Sequence, residues 1–318
     1  MYSHTYNTII SLENLLFAWK EFRHGKRKRH DVQLFERNLV VNIQLLHERL
    51  VTKIYSHSSY EAFNISDPKP RNIHKASVRD RIVHHLLYSA LYPYFDTKFI
   101  HDSYSCRVGK GTHRALRRFE RFGRKVSRND TRTCWVLKCD IRKFFASIDH
   151  TILKEILARH IYDTDMLWLL GQIIDSFPNG LPLGNLTSQL LVNVYMNECD
   201  HFVKHTLKMK YYIRYADDFV FFSHDRKELE TLLPKVERFL KEQLALSLHP
   251  DKVFIKTLAS GVDFLGWVHF LTHHVLRTAT KRRMLKRITT HPTVATIASY
   301  KGMLEQGNGY KLSKKLYV

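Results

Sequence analysis

Two adjacent aspartates, Asp217 and Asp218, interrupt the run YIRYADDFVFF at 212–222, a segment otherwise rich in aromatic and β-branched residues. Buried carboxylates are costly unless they are paired or bound to a cation. Successive strand residues face opposite sides, so a regular strand cannot aim both inward. At a hairpin tip, the first can turn into a cleft while the second sits at its edge. A third carboxylate, Asp140, closes the apolar, strand-like stretch WVLKCDI. Magnesium prefers oxygen ligands and keeps waters or substrate phosphates in its shell. Two such ions about 3.5–4 Å apart activate an attacking oxygen and stabilise a leaving one. Phosphoryl transfer then needs little beyond cationic clamps. An isolated Asp-Asp pair is usually a turn, so the reading depends on Asp140 and on the cationic segments around it. Asp149 reads as a helix N-cap rather than a ligand.

The elements that must hold these carboxylates follow from periodicity and punctuation. Helical spacing covers 8–23, with Ser11 as N-cap, then 31–53 and most of 78–100. SDPKPRNI at 66–73 reads as extended or turn, because it holds two prolines. RVGKGTHRALRRFERFGRK at 107–125 joins a glycine-flanked loop to a strongly basic helix. A buried strand at 133–141 precedes a helix near 149–160. LPLGNLTSQ at 181–189 leads into a helix from about 187 to 208. The Asp-Asp segment forms a hairpin. A helix at 226–244 is followed by the strand-like LSLHPDKVFI and VDFLGWVHF. The basic tail from 278 is helical, with a break at His291-Pro292. This order predicts an α+β fold, an antiparallel sheet with helices on one face.

Composition limits the partners. With 318 residues, 44% of them hydrophobic, the chain can bury more than one substantial core. Lys and Arg outnumber Asp and Glu by 51 to 30, giving a formal charge of +21. A polyanion is the expected partner, nucleic acid before an anionic membrane surface. No apolar run reaches the ~18–20 residues that span a bilayer. The N-terminus has neither the basic region nor the cleavage site of a signal peptide. Four cysteines without C-x-x-C spacing argue against a zinc site or a disulfide framework, and a reducing cytoplasm is the expected location. Among 20 histidines, pairs such as His84–His85 and His273–His274 lack a metal-site pattern. The run HGKRKRH at 24–30, containing Lys26, Arg27, Lys28 and Arg29, is either a solvated face or a phosphate contact.

Taken together, Y-A-D-D in a hydrophobic hairpin, preceded by D-I-R-K-F-F and P-L-G-N-L-T-S-Q, resembles a reverse transcriptase. PKPRNI, VRDRIVHHLL and SYSCRVGKGTHRAL resemble that family's earlier blocks, and S-L-H-P-D-K and FLGW its later ones. Several motifs in one order are more specific than any of them alone. The resemblance implies a right-hand polymerase: an N-terminal helical extension at 1–60, fingers at 61–132 with part of 150–185, palm at 133–267 and a short helical thumb at 268–318. It implies two magnesium ions held by Asp140, Asp217, Asp218 and the Ile141 main chain, with Asp218 the weaker ligand. Phe145 matches a bulky gate that excludes a ribose 2′-OH; otherwise it is a core aromatic beside Phe144. Lys69, Arg71, Leu183, Gly184 and Gln189 match residues around the incoming deoxynucleotide, and Arg79 and Arg81 either share that role or face solvent. Lys252 is similar to a lysine that protonates departing pyrophosphate. Phe264, Leu265, Gly266 and Trp267 resemble a primer grip, or simply pack. Lys110, Arg114, Arg117 and Arg118, with 26–29, would bind nucleic acid.

The form P-[LI]-G-x-x-T-S-Q, met here as Pro182-Leu183-Gly184 through Ser188-Gln189, is similar to the reverse transcriptases of diversity-generating retroelements. Those copy a template RNA from a primer 3′-OH while misreading adenines, and a small basic accessory protein is an expected partner. Ala216 stands where that family often has methionine. Y-A-D-D and Lys252 resemble group II intron-type enzymes instead, although no maturase or endonuclease region follows residue 318. Retron-type and phage-defence enzymes share the same frame. Two readings of other classes are a nucleic-acid-binding protein that has lost catalysis and a metal-dependent nuclease.

Overall fold

The structure, a computed structural model, describes residues 2–66 and 70–314; of the expected site residues, Lys69 lies outside them. The chain packs as two compact units and passes between them several times. One comprises Met1–Ile100, Lys143–Asp200 and Lys241–Leu246; the other comprises His101–Arg142, His201–Leu240 and Ser247–Val318.

In the first unit, the Ser11 hydroxyl accepts from Asn14 N and opens the helix Leu12–Arg23. Leu15, Ala18, Trp19 and Phe22 fall on one face of that helix and are buried. They pack toward the helix Val78–Asp96, which Ser77 caps in the same way. The single helix expected at 31–53 is two, His30–Arg37 and Leu39–Val51. Asn38 leaves helical geometry between them (φ −118°, ψ 37°), as a residue that bonds its own backbone readily does. Strands β1 (Glu61–Ile65) and β2 (Arg71–Lys75) form an antiparallel hairpin. Asp149 caps His150–Ala158 by accepting from Ile152 N. The helix Leu186–His201 is buried along most of its length. The helix expected to reach 208 passes instead into a π-helical turn at Phe202–Thr206.

The second unit is built on a four-stranded antiparallel sheet in the order β4-β5-β3-β6, with β3 at Trp135–Asp140, β4 at Tyr212–Tyr215, β5 at Asp218–Ser223 and β6 at Phe254–Thr257. A second antiparallel sheet runs β7 (Val262–Phe264), β8 (Trp267–His269) and β9 (His274–Leu276). The helix Thr112–Ser127 carries Ala115, Leu116, Phe119, Phe122 and Val126 into a core shared with Val136, Val220, Phe222 and Phe264. Arg114, Arg117, Arg121, Arg124 and Lys125 face outward from the same helix. This separation of apolar and cationic faces at helical spacing accounts for both its docking and its charge. Helices Thr278–Thr290 and Val294–Leu304 flank the break expected at His291-Pro292. Among the described residues, no helix is long and apolar enough to cross a membrane.

A candidate polymerase metal centre

Asp140 and Asp218 end up side by side because they are direct cross-strand partners of β3 and β5. Asp217 lies in the two-residue turn between β4 and β5, after Ala216, whose φ of 56° is left-handed. A non-glycine residue there costs of order 1 kcal/mol and persists only where its surroundings hold it. Arg214 supplies that hold. Its fully buried guanidinium donates from Nη1 to the Ala216 carbonyl at 3.2 Å and from Nη2 to Ser103 Oγ at 3.1 Å. Ile141 N donates to the Asp217 carbonyl at 3.2 Å, which ties the turn to the end of β3. Ile141 itself is buried.

Two lysines bracket the carboxylates. Lys252, in the short 3₁₀ turn Pro250–Lys252, places Nζ 2.8 Å from Asp140 Oδ1. Lys138 is two residues before Asp140 on β3 and therefore shares its face. Its nearly buried Nζ lies 3.3 Å from Asp218 Oδ2 and donates to the Asp263 carbonyl at 2.8 Å. That bond connects the carboxylate pair to β7, next to the Phe264–Trp267 turn. Sequence reasoning missed Lys138 and Arg214. Each is a lone cation in an apolar strand, and for Lys138 the parity with Asp140 was the available signal.

Burial pushes the Asp218 carboxyl up to about 7 against the pull of Lys138, with Asp140 and Asp217 adding to the rise. Asp218 Oδ1 is buried and has no hydrogen-bond partner. A buried acceptor without a donor, beside two further carboxylates, has the donor chemistry of a hard divalent cation site. The three aspartates fit magnesium.

The FLGW segment is a tight β7–β8 hairpin in which Leu265 (φ 50°) and Gly266 (φ 85°) both take positive φ, the backbone of a type I′ turn. Phe264 and Trp267 are buried in the core, Phe264 stacking on Phe119 at 5.2 Å, so only Leu265 and Gly266 present the turn. On the arginine helix, Arg118 makes a two-pronged pair with Asp102 at 2.7 and 3.1 Å. Arg114 donates to the Gly109 carbonyl, and Lys110 to that of His101 at 2.8 Å. Lys110, Arg114, Arg117 and Arg118 line one cleft of about 400 Å³ together with His101, Tyr104 and Arg121.

In the first unit, main-chain bonds tie two of the residues expected around a nucleotide, Phe145 and Leu183, to neighbouring segments. The Phe145 carbonyl accepts from Leu181 N at 2.7 Å, and the Leu183 carbonyl from His74 N of β2 at 3.0 Å. Phe145, Leu183 and Gln189 are half-buried, whereas Gly184 and Arg71 are exposed. Arg79 is engaged by Asp80 and Ser58, and Arg81 by Asp31. Lys26 donates to the Phe22 carbonyl at 2.7 Å; Arg27, Lys28 and Arg29 are exposed.

Residues 65–269 match the family model described as reverse transcriptase (RNA-dependent DNA polymerase). The chain belongs to the reverse transcriptase family. It is 25% identical to protein YkfC of Escherichia coli K12 over 303 residues, covering 81% of this chain and 77% of that one. It is 23% identical to a putative COX1/OXI3 intron 2 protein of Saccharomyces cerevisiae over 201 residues, 42% of this chain and 23% of that protein. Among solved structures, apo telomerase from Candida tropicalis, truncated from its C-terminal domain, shares the fold with a TM-score of 0.53 at 12% identity. That match covers 73% of this reverse transcriptase and 59% of the telomerase chain, so this chain spans less than two thirds of it. The α+β architecture is that of the right-hand polymerases, and the domain is that of an RNA-directed DNA polymerase, a nucleotidyltransferase.

Proposed function

We propose that this reverse transcriptase copies a template RNA into cDNA from a primer 3′-OH, and that it does so with errors concentrated at template adenines, as in a diversity-generating retroelement. The observation that carries the polymerase reading is the cross-strand pairing of Asp140 with Asp218, whose Oδ1 is buried and unpartnered, with Asp217 in the adjoining turn. Those carboxylates, with the Ile141 carbonyl, would hold two magnesium ions, which supply Lewis-acid activation of the primer hydroxyl and charge neutralisation of the triphosphate. Lys252, paired with Asp140, carries the proton given to departing pyrophosphate. Phe145 excludes the ribose 2′-OH, Arg71 and Lys69 bind the triphosphate, and Gly184 and Gln189 complete the nucleotide's surroundings. Leu265 and Gly266 seat the primer end. Fingers at 61–132, palm at 133–267 and thumb at 268–318 are the proposed divisions, with a small basic protein as accessory partner.

The mutagenic reading rests on Leu183. A long amide at that position can hydrogen-bond near the nascent pair, and leucine cannot. One such contact is worth about 1–2 kcal/mol, or about tenfold in discrimination. Primer extension on an RNA template with Mg²⁺, followed by cDNA sequencing, should show errors clustered at adenines, and Leu183→Gln should lower them about tenfold. An unchanged adenine error rate in Leu183→Gln removes that role. The intron protein among the relatives favours a second reading, an intron-type enzyme, for which the same sequencing would show faithful copies.

Template binding should fall steeply with salt, since the cationic cleft of the arginine helix releases counterions from phosphates. Contact with about five phosphates gives a log–log slope near −4. A slope near zero between 50 and 200 mM salt would remove the arginine helix from the binding surface.

A further inference from the structure

Three side chains from separate elements of the second unit converge away from the aspartates. His269, at the end of β8, and His274, at the start of β9, are direct cross-strand partners, and their ring centroids lie 5.1 Å apart. The turn between them is closed by Phe270 N donating to the His273 carbonyl at 2.8 Å. Glu120, on the arginine helix, places Oε1 2.6 Å from His274 Nδ1. One ligand atom from each of Glu120, His269 and His274 lies within 4.8 Å of the others.

The Glu120 pairing and the Gln306 carbonyl, 2.6 Å from His274 Nε2, account for His274. They leave His269 unexplained. It is 1% exposed, and both its ring nitrogens are buried with no hydrogen bond of normal geometry, although the Phe264 backbone acts weakly on the ring. Burial, reinforced by His274, holds this imidazole neutral, the form that ligates metals. Buried polar groups are nearly always satisfied; the Phe119 ring covers this one at 4.4 Å, and the polar side chains beside it, Glu120 and His274, are ligand types.

We propose that Glu120, His269 and His274 bind one zinc-class divalent cation, which pins the β8–β9 hairpin to the arginine helix. Two imidazoles and one carboxylate form a three-ligand zinc set that leaves a fourth position for water. Tetrahedral zinc holds such donors about 3.3 Å apart, so the wider separations need to close by no more than ~1.5 Å while the 2.6 Å Glu120–His274 pair opens by ~0.7 Å. Arg117, Arg121, Arg124 and Lys125 line the cleft of about 490 Å³ beside Glu120 and disfavour a hard cation held by charge alone. The imidazoles supply the softer donors that select zinc over magnesium. Neither cysteine spacing nor the adjacent pair His273–His274 signals the site, because its ligands come from a helix and two strands.

The test uses the full chain, stripped with chelator, equilibrated with Zn²⁺ in excess Mg²⁺ and dialysed before metal analysis. The expected result is one zinc per chain in wild type and in Asp217→Asn, and none in His269→Leu. Loss of a direct ligand should weaken Zn²⁺ binding more than ~100-fold, beyond what loss of an outer-shell partner does. His269→Leu places an apolar side chain in an apolar setting, so it should fold. Its metal-free circular dichroism should match wild type, and Zn²⁺ should raise the melting temperature of wild type and of Asp217→Asn but not that of His269→Leu. Glu120→Gln, at a partly exposed position, provides a second variant with weakened binding. No retained zinc, equal zinc in His269→Leu, or loss of zinc in Asp217→Asn each overturns the proposal.

Discussion

Asp217→Asn and Asp218→Asn should each reduce primer extension by about a thousandfold or more, while metal-free Asp218→Asn should melt no lower than wild type at pH 8. The rate loss follows from removing a ligand from a centre that supplies several kcal/mol of transition-state charge stabilisation. The retained stability follows from the setting of Asp218. Its carboxyl titrates near 7 in the fold, above the ordinary value of 3.8. A raised folded value means that stability from this group is fully present below about 4 and is lost as pH climbs through 7. Ionised Asp218 then faces Asp140 and Asp217, with Lys138 as the cation that opposes the repulsion at its own carboxylate. Asparagine removes that charge and still offers an oxygen to Lys138, whose other acceptor, the Asp263 carbonyl, is unchanged. Raising pH from 5 to 8 without metal should therefore destabilise wild type by a few kcal/mol more than the variant. Saturating Mg²⁺ should stabilise wild type and leave Asp218→Asn nearly unmoved. Thermal melts at both pH values, with and without Mg²⁺, check each arm. A variant that melts well below wild type at pH 8 without metal would mean that Asp218 holds the sheet together and is not a carboxylate reserved for a cation.

The parts of this design that local chemistry dictates could be read from the residues. Ser11 and Asp149 cap the expected helices. The helix at 226–244 is observed as Arg226–Leu244 despite Pro234. Asp217 takes the hairpin turn and Asp218 the first position of β5. Other parts depend on partners remote in sequence. Arg214 and Lys138 are cations in runs that otherwise read as core, and only the packing shows that one supports the Ala216 carbonyl while the other links Asp218 to β7. The aromatic residues of FLGW read equally well as a binding surface, but the I′ turn sends Phe264 and Trp267 inward and leaves Leu265 and Gly266 at the tip. Convergence of Glu120, His269 and His274 needs a helix and two strands in register, which no local pattern carries.

Gly180→Ala should be the most damaging single methyl addition around Phe145. Gly180 has φ +67°, a backbone that alanine adopts at a cost of 1–2 kcal/mol. The added Cβ would also lie 2.1 Å from the Phe145 carbonyl oxygen and 2.6 Å from Ala146 Cα. Both are main-chain atoms, so no rotamer change relieves the clash. The neighbouring chain is pinned as well, because Leu181 N donates to that same carbonyl and the Gly180 carbonyl bonds His150 Nε2 at 2.7 Å. Strain and displacement together should destabilise the fold by about 3 kcal/mol or more, lowering the melting temperature by roughly 6–12 °C. Gly171→Ala is the matched control: it lies within the helix Thr164–Ile174, and its added Cβ meets nothing within 4 Å. It should be neutral or slightly stabilising, since alanine is the better helix former. If Phe145 is the sugar gate, whatever fraction of Gly180→Ala folds should also accept ribonucleotides more readily, in the direction of Phe145→Ala. Melting curves and the rNTP to dNTP incorporation ratio decide the matter. If Gly180→Ala melts with wild type and keeps its sugar selectivity, the 180–181 turn does not position Phe145.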